Sequence, residues 1–335
     1  KNLSKRVGEN LKIKQEMGSN IGALILGIVG GIFCVVTIIP GLILLWKLFV
    51  KPKLFKSLPQ KYRGRNTYAI ITGAAGGIGK AFAEKFAKEG FNLIVIARRE
   101  EILKQMKQEF EEKYQINVKV IANDLISIDE NNQWDKIENE LKGIDIGVLV
   151  NNVGMCQYLP GKFGDVDIKD INNMISLNIR VLTMLTHIII PMMLERKEQG
   201  LIINMSSATS SVPFPMFQVY AASKAFIKQF NDSLYAEYKG KIDCISYCPW
   251  YIKTEMTKIR ESSIYVLEPE EFVEYCFLFF GQQNHIDPYW FHYLMDIGAW
   301  LYPTDTFGNM ILSMQSFVRQ RLLLKLQQKT KNKLE

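Results

Sequence analysis

Short apolar runs alternate with amphipathic stretches from Tyr68 onward. The runs, rich in Val, Ile and Leu, predict six strands: Tyr68–Ile71, Phe91–Ala97, Val118–Ala122, Ile146–Val150, Leu201–Met205 and Cys244–Cys248. Apolar residues at helical spacing predict the helices between them: Lys80–Glu89, Glu101–Tyr114, Ile171–Pro191 and Ala221–Tyr238. This alternation is typical of an α/β fold with a doubly wound, Rossmann-like parallel sheet and helices on both faces.

An unbroken apolar run, residues 21–50, precedes this region. No charged side chain lies between Glu16 and Lys47, and roughly 20 apolar residues suffice to span a bilayer as a helix. Because the run lacks a polar face, we predict a transmembrane segment rather than a buried core helix. A cleaved signal peptide is the alternative, although the run is longer than a signal core and no small-residue cleavage site stands out.

Both flanks of the run are rich in Lys and Arg, and the linker that follows it, residues 51–66, has no acidic residue. By the positive-inside rule, this pattern favours a cytosolic or matrix-side location for the rest of the chain. The basic segment 1–20 also fits a mitochondrial protein, so that alternative stays open.

Composition narrows the function classes further. The chain has 335 residues, of which 48% are hydrophobic and 22% charged, which excludes a disordered protein and a wholly membrane-embedded one. The net charge of +7 suits an anionic cofactor or a membrane surface, and we expect no nucleic-acid partner. The five Cys and three His residues form no CxxC, HExxH or HxxxH pair, so we expect neither a disulfide framework nor a metal site.

A glycine-rich segment, Thr72–Gly79, follows the first predicted strand and opens the first predicted helix. Glycines let the backbone approach a pyrophosphate closely, and the helix N-terminus supplies N–H groups. The alternative is a tight turn that binds no ligand. The position of the segment directly after a strand favours the phosphate-binding loop over that alternative. The candidate cofactor-binding residues of this loop are Thr72, Gly73, Gly77, Ile78 and Gly79.

The end of the second predicted strand indicates which dinucleotide binds. A carboxylate after this strand would bind the ribose hydroxyls of NAD, whereas a cation accommodates the 2′-phosphate of NADP. Here Ala97 is followed by Arg98 and Arg99. We therefore predict NADP(H), with Arg98 the better-placed residue; a pair of solvated surface arginines is the alternative.

A candidate catalytic pair, Tyr220 and Lys224, lies four residues apart on the last predicted helix and so shares one face of it. A neighbouring ammonium would bring the tyrosine pKa toward neutrality and let it donate a proton to a developing alkoxide. Ser207 follows a predicted strand thirteen residues earlier. Asn178 lies in the preceding helix, and residues 151–154 end another strand.

Together these motifs resemble those of the short-chain dehydrogenase/reductase family. Within that family, the stretches Gly147–Met155, Pro191–Arg196 and Asn204–Ser207 look most like the membrane-bound very-long-chain 3-oxoacyl-CoA reductases, which overlap with hydroxysteroid dehydrogenases. The resemblance implies that Tyr220 is the proton donor and Lys224 its pKa modifier, which also holds the nicotinamide ribose. It further implies that Ser207 binds the substrate carbonyl and that Asn178 holds a water in a proton relay.

The resemblance also implies further cofactor contacts. Asp124 would meet the adenine ring, Asn151 would line the adenine-ribose side, and Gly154 would be a further cofactor-binding residue. The segment after Pro249 would contact the carboxamide through Thr254. Many relatives have a small residue after that proline, whereas this chain has Trp250, which puts the shape of the nicotinamide-side pocket in doubt.

The C-terminal part has a different character. Aromatic residues cluster at 289–302 and an amphipathic pattern covers Met310–Leu326, which suits a substrate lid or a helix on a membrane surface as well as plain core packing. Lys331 and Lys333 resemble a dilysine retrieval signal of endoplasmic reticulum membrane proteins. We predict five parts: a basic segment 1–20, a transmembrane segment 21–50, a linker 51–66, an NADP-binding reductase domain 67–265 and a membrane-associated helical extension 266–335.

The sequence thus predicts an NADPH-dependent, membrane-anchored reductase of a lipid-like ketone. The favoured substrate is a 3-oxoacyl-CoA in fatty-acid elongation, at the endoplasmic reticulum membrane with a cytosolic catalytic domain. A steroid or retinoid dehydrogenase is one alternative, and an accessory NADP(H)-binding subunit of a mitochondrial inner-membrane complex is another. A homo-oligomer or a larger membrane complex is compatible with either.

Overall fold

The computed structural model describes residues 20–22, 24–31, 59–128 and 133–334, with a few isolated positions between 34 and 50; side chains are described as far as residue 328. The chain divides into two compact units, residues 1–56 and 57–335.

A parallel sheet forms the centre of the second unit. Its strands are β1 (Tyr68–Thr72), β2 (Asn92–Ala97), β3 (Val118–Ala122), β4 (Ile146–Asn151), β5 (Gly200–Met205), β6 (Ile242–Tyr247) and β9 (His285–Ile286). They lie in the order β3-β2-β1-β4-β5-β6-β9. A separate two-stranded ladder pairs β7 (Tyr251–Ile252) with β8 (Val266–Leu267). Every residue of β4 and β5 is buried, as expected for parallel strands covered on both faces.

Helices connect the strands. They are α1 (Gly77–Lys88), α2 (Glu100–Tyr114), α3 (Gln133–Leu141), α4 (Ile168–Ile175), α5 (Val181–Leu194), α6 (Gln218–Glu237), α7 (Pro269–Cys276), α8 (Trp290–Leu301) and α9 (Thr304–Leu334). The strand order runs outward in both directions from the β1/β4 pair, so right-handed crossovers put helices on both faces. The point of reversal, at the carboxyl ends of β1 and β4, is where such sheets bind ligands.

The predicted doubly wound sheet is confirmed, with two differences. The edge strand β9 is absent from the sequence prediction because a two-residue strand has no apolar run to reveal it. The predicted helix Ile171–Pro191 consists of α4 and α5 joined by a π-helical turn, Ser176–Arg180, and a wider turn of this kind leaves no trace in apolar spacing.

One helical stretch in the described part of the chain, Ile168–Leu194, is long and apolar enough to cross a membrane. More than half of its apolar window is buried, and α5 contacts β4, so this stretch is a core helix. Of the predicted transmembrane segment, the structure describes an apolar helix within Asn20–Gly31. The basic segment 1–19, most of residues 32–50 and linker residues 51–58 lie outside the described residues.

The second half of the predicted linker packs against the amino-terminal edge of the sheet. Tyr62 is fully buried, and its hydroxyl donates to Asp243 at 2.7 Å. Arg196 donates to the Tyr62 carbonyl at 2.9 Å and to the Asp145 carboxylate at 2.5 Å, and Thr67 also donates to Asp145. Asp145 and Asp243 lie at the beginnings of β4 and β6, so this clamp holds residues 59–67 at the base of the strands.

Candidate active site

The glycine-rich loop connects β1 to the N-terminus of α1. Gly73 and Gly77 have positive φ angles of 67° and 52°, which glycine adopts without strain. A Cβ on Gly79 would lie 2.3 Å from the Gly73 carbonyl oxygen, so only glycine fits there. No side chain caps the start of α1, and the N–H groups of its first turn are left for a ligand. Together with half-buried Ile78, this loop fits a dinucleotide pyrophosphate.

The carboxyl end of β1 is tied to the end of β4. The Thr72 hydroxyl donates to the Val150 carbonyl at 3.1 Å and accepts from the Asn152 and Val153 N–H groups at 2.9 and 3.0 Å. The Asn152 amide donates to the Thr72 carbonyl at 2.9 Å. Thr72 therefore fixes the loop at the switch point of the sheet, with its hydroxyl fully engaged.

Two arginines follow β2, and they lie differently. Arg98 is exposed at the strand end. Arg99 donates to the Ala75 carbonyl in the glycine-rich loop at 3.1 Å and pairs with Glu255 at 3.4 Å. The contact of Arg99 with the loop was missed by the sequence reasoning, whose only signal was that two arginines stand side by side. Two cations thus lie where a 2′-phosphate would bind.

The strand-end residues Asp124 and Asn151 differ in exposure. Asp124 is exposed after β3, and its carboxylate accepts from the Ile126 N–H at 3.2 Å. Asn151 is only 4% exposed, and its amide donates to Thr186 at 3.0 Å and to Asn204 at 2.9 Å. The Asn151 side chain is thus hydrogen-bonded inside the sheet.

A chain of buried amides continues from Asn204. It donates to Asn231 of α6 at 3.0 Å, and Asn231 donates to the Asn284 carbonyl at 2.6 Å, beside β9. This chain was missed by the sequence reasoning, although a polar residue inside the apolar run Leu201–Met205 is a visible signal. It ties α6, which carries the candidate catalytic pair, to the sheet.

Ser207, Tyr220 and Lys224 come together at the carboxyl end of β5. The Ser207 hydroxyl is close enough to the Tyr220 phenol to lower its pKa, and the Lys224 Nζ lies 5.6 Å from the Tyr220 ring centroid. The same Nζ donates to the Met205 carbonyl at 2.8 Å. Lys224 and Ser207 are 5% and 8% exposed, and Tyr220 is half-buried beside them.

Burial controls the protonation of this cluster. It raises the pKa of the Tyr220 phenol above its ordinary value, and the hydrogen bond with Ser207 opposes only part of this rise. It lowers the pKa of the Lys224 ammonium to about 8. Lys224 is not among the groups that act on the Tyr220 pKa in the chain by itself, so the expectation that it brings this pKa toward neutrality stays a prediction for the complex with the cofactor.

Asn178 lies on the π-helical turn and is 1% exposed. Its amide oxygen accepts from the Met155 N–H at 2.8 Å, and its amide nitrogen donates to the Met155 carbonyl at 2.9 Å and to Ser223 at 3.0 Å. Ser223 in turn donates to the Tyr220 carbonyl at 2.7 Å. Ser223, missed by the sequence reasoning, thus connects Asn178 to α6. A Cβ on Gly154 would lie 3.2 Å from the Asn178 oxygen and 3.5 Å from the Lys224 Nζ, so Gly154 leaves room for both.

The segment after β6 faces the glycine-rich loop. A Cβ on Gly77 would lie 3.2 Å from the Thr254 methyl group, which puts Thr254 over the start of α1. The Pro249 carbonyl accepts from the Ala208 N–H at 3.0 Å. The Trp250 indole donates to Asp296 of α8 at 2.7 Å and packs beside a small apolar cluster formed by α8 and α9. The large residue after the proline therefore connects the site to the C-terminal helices.

A cavity of about 1250 Å³ opens beside this segment. One part of its wall is formed by Gly77 and Thr254, and another part by Tyr158 and Lys258. Helix α9 contributes apolar side chains, among them Leu322. Burial raises the pKa of the nearby Cys156 thiol, and Lys258 of the cavity wall and Lys224 of the cluster both oppose that rise. The lid role of the C-terminal part stays a prediction.

Comparisons with known proteins assign the family. The sequence profile of the family described as short chain dehydrogenase matches residues 67–264. Very-long-chain 3-oxoacyl-CoA reductase-B of Danio rerio is 37% identical over 265 residues, which cover 78% of this chain and 84% of that protein.

Solved structures agree on the fold. A 7beta-hydroxysteroid dehydrogenase has a TM-score of 0.67 at 23% identity and covers 75% of this chain and 98% of its own. A short-chain dehydrogenase from Sphingobium yanoikuyae, in complex with NADPH, has a TM-score of 0.58 at 27% identity and covers 64% of this chain and 84% of its own. This chain belongs to the short-chain dehydrogenase family and is an oxidoreductase that uses a nicotinamide cofactor.

Proposed function

We propose that the protein reduces the 3-oxo group of a 3-oxoacyl-CoA to a 3-hydroxy group, with NADPH as the reductant. The observation that carries this proposal is the cluster of buried Ser207 and Lys224 with half-buried Tyr220 at the carboxyl end of β5. The similarity to proteins named very-long-chain 3-oxoacyl-CoA reductase supports the choice of substrate.

The cofactor is NADP(H). The glycine-rich loop fits its pyrophosphate, and Arg98 and Arg99 offer cations for its 2′-phosphate at the end of β2. The short-chain dehydrogenase from Sphingobium yanoikuyae, at 27% identity, is a complex with NADPH. Asp124, Gly154, Pro249 and Thr254 are proposed as further contacts, in line with their positions at the carboxyl edge of the sheet.

The cofactor supplies a hydride to the carbonyl carbon, and the protein supplies the proton. Tyr220 donates its phenolic proton to the carbonyl oxygen, which becomes the hydroxyl of the product. Ser207 donates a hydrogen bond to the same oxygen and so stabilises the charge that develops there. Lys224 stabilises the phenolate that remains on Tyr220. Asn178 holds the backbone at Met155 and, through Ser223, the position of α6.

The same proposal includes a membrane location and the five-part organisation of the chain. The described part of the apolar run has exposed side chains, among them Leu24 and Leu26 at 64% and 73%. We propose an endoplasmic reticulum membrane protein with its catalytic domain in the cytosol. The mitochondrial accessory-subunit alternative gains no support, because the similar curated proteins are named as reductases.

An assay of NADPH oxidation by the detergent-purified protein tests the function. We expect turnover with long-chain 3-oxoacyl-CoA thioesters, at rates at least tenfold above those with a steroid ketone. A higher rate with the steroid would favour the dehydrogenase alternative. NADPH binding without turnover of any ketone would contradict the proposal.

A further inference from the structure

The cavity beside α9 carries an excess of cations. Five line it, Lys80, Lys253, Lys258, Arg260 and Lys325, together with three carboxylates, Glu255, Glu268 and Glu270. Glu268 is neutralised by Lys253, 2.6 Å away, and Glu255 by Arg99. The remaining charge on the wall is therefore strongly positive.

Only Lys253 among these five has an ion pair within the described ranges; of the other four, Lys80 lies at the start of α1, and Lys258, Arg260 and Lys325 lie on the rest of the wall. Lys258 has a positive φ angle of 56°, which a non-glycine residue adopts only when its surroundings hold it there. Its ammonium lies 3.3 Å from the Tyr158 ring centroid. This contact joins the loop after β4 to the loop after β7 and holds the charge at the cavity wall.

The anionic groups of the cofactor are assigned to other residues. The pyrophosphate fits the start of α1, and the 2′-phosphate fits the arginines after β2. Lys258 and Arg260 lie on the loop after β7, and Lys325 lies on α9. These cations are thus available to a second anionic molecule in the same cavity.

We propose that Lys258, Arg260 and Lys325 bind the phosphate groups of the acyl carrier, the nucleotide part of CoA. This inference rests on the proposed function and assigns the residues that would distinguish a CoA thioester from a steroid, which has no phosphate. Apolar side chains of α9 line the same cavity, among them Val318 and Leu322, and offer contact to the uncharged part of the carrier. Phosphate is recognised by such cations through charge-assisted hydrogen bonds.

The test compares two thioesters of one 3-oxoacyl group, the CoA ester and the N-acetylcysteamine ester, which has no phosphate. The variant is Arg260→Gln with Lys325→Gln; Lys258 is left in place because its contact with Tyr158 also shapes the loop. The control is Lys104→Gln with Lys142→Gln, which removes two exposed cations on other surfaces. We expect the ratio of kcat/KM for the CoA ester to that for the short ester to fall about tenfold in the variant, since charge-assisted contacts at an exposed wall contribute less than buried ones.

Salt gives a second measurement. We expect the KM for the CoA ester to rise with ionic strength in the parent and in the control, and to rise less in the variant. An unchanged ratio, or an equal loss with both esters, would overturn the inference while leaving the proposed function intact. A selective rise in the KM for NADPH would reassign the cations to the cofactor. If the parent reduces neither ester, the proposed function itself is wrong.

Discussion

The surroundings of Tyr220 raise the pKa of its phenol, so the phenol is protonated before the substrate binds. Burial favours the neutral phenol over the phenolate, and the neighbouring Ser207 hydroxyl opposes only part of that effect. In the proposed reaction, the Lys224 ammonium four residues away stabilises the phenolate that forms on Tyr220.

Removal of the Tyr220 hydroxyl should separate binding from catalysis. We expect Tyr220→Phe to lower kcat by at least about 10²-fold, the usual scale for a positioned proton donor, and to leave NADPH affinity within a factor of about two. Steady-state kinetics and NADPH fluorescence titration measure the two effects. Tyr114→Phe, which removes a surface hydroxyl that donates to Glu84 at 2.7 Å, is the control and should have parental kcat. A Tyr220→Phe enzyme of parental rate would exclude this residue as the donor.

We expect NADPH affinity to change at alkaline pH, because it depends on the protonation of Lys224. Its pKa is lowered to about 8, so the ammonium loses its proton as the pH rises through that value. We expect NADPH affinity to fall about tenfold between pH 7 and pH 10, since one charge-assisted contact is lost. In Lys224→Met the affinity should be lower and nearly independent of pH in this range. A parental titration that stays flat to pH 10 would show that the charge of Lys224 does not contribute to binding.

The two arginines after β2 should differ in their effects. Arg98→Ala should weaken NADPH by about ten- to a hundredfold and leave NADH unchanged, if its exposed guanidinium binds the 2′-phosphate. Arg99→Ala should weaken both cofactors, because Arg99 contacts the glycine-rich loop itself. Equilibrium binding of both nucleotides to both variants measures this. Reversed selectivities would assign the 2′-phosphate to Arg99.

At this scale the sequence predicts residue types better than their contacts. The Tyr220–Lys224 spacing, the serine after a strand and the glycine-rich loop each have a local pattern, and the structure brings them together. The contacts of Arg99, Ser223 and Asn204 depend on which strands and loops become neighbours in space, which spacing along the chain does not reveal. The pKa of Tyr220 depends on burial, which is also a property of the whole fold.

Among the elements, α8 is joined to the site by one polar contact. Trp250 donates to Asp296, and burial raises the pKa of Asp296 to about 7. Asp287 and Lys228 act on this pKa from outside α8, and His292 acts from within it. The sequence marks Trp250 as unusual, but its partner is 46 residues away and could not be predicted.

We expect the Asp296 carboxyl group to make the free energy of unfolding depend on pH. Its pKa is higher in the folded chain than its ordinary value of 3.8, so the folded state binds the proton more strongly and stability is lost as the pH rises from about 4 to about 7.

We expect Asp296→Asn, which keeps an acceptor for the Trp250 indole, to reduce this loss. Thermal unfolding at pH 5 and pH 8 should show a smaller decrease in Tm for the variant than for the parent. His285, whose pKa burial lowers to about 4, acts in the opposite direction in both proteins and cancels in the comparison. Equal decreases would exclude Asp296 as the source.

For the whole molecule, the boundary between the two units predicts what a truncation removes. We expect deletion of residues 1–50 to leave NADPH affinity within a factor of about two, because residues 57–335 form a compact unit that contains every candidate cofactor contact. The membrane-bound fraction should fall several-fold on cell fractionation. Full retention at the membrane would instead indicate anchoring by the exposed aromatic residues of the C-terminal part, Trp300 and Tyr302. Loss of NADPH binding would show that the first unit is required for folding.

The clamp at the base of the sheet has a mechanical consequence. Residues 59–67 are held by Arg196 and Asp145 at the amino-terminal edge, whereas Tyr220 and Ser207 lie at the carboxyl edge, roughly 20 Å away along six-residue strands. A load applied through the segment before residue 59 is therefore taken by the Arg196–Asp145 ion pair and passes into the hydrogen-bonded ladder of the sheet. The reacting groups at the far edge are shielded from that force.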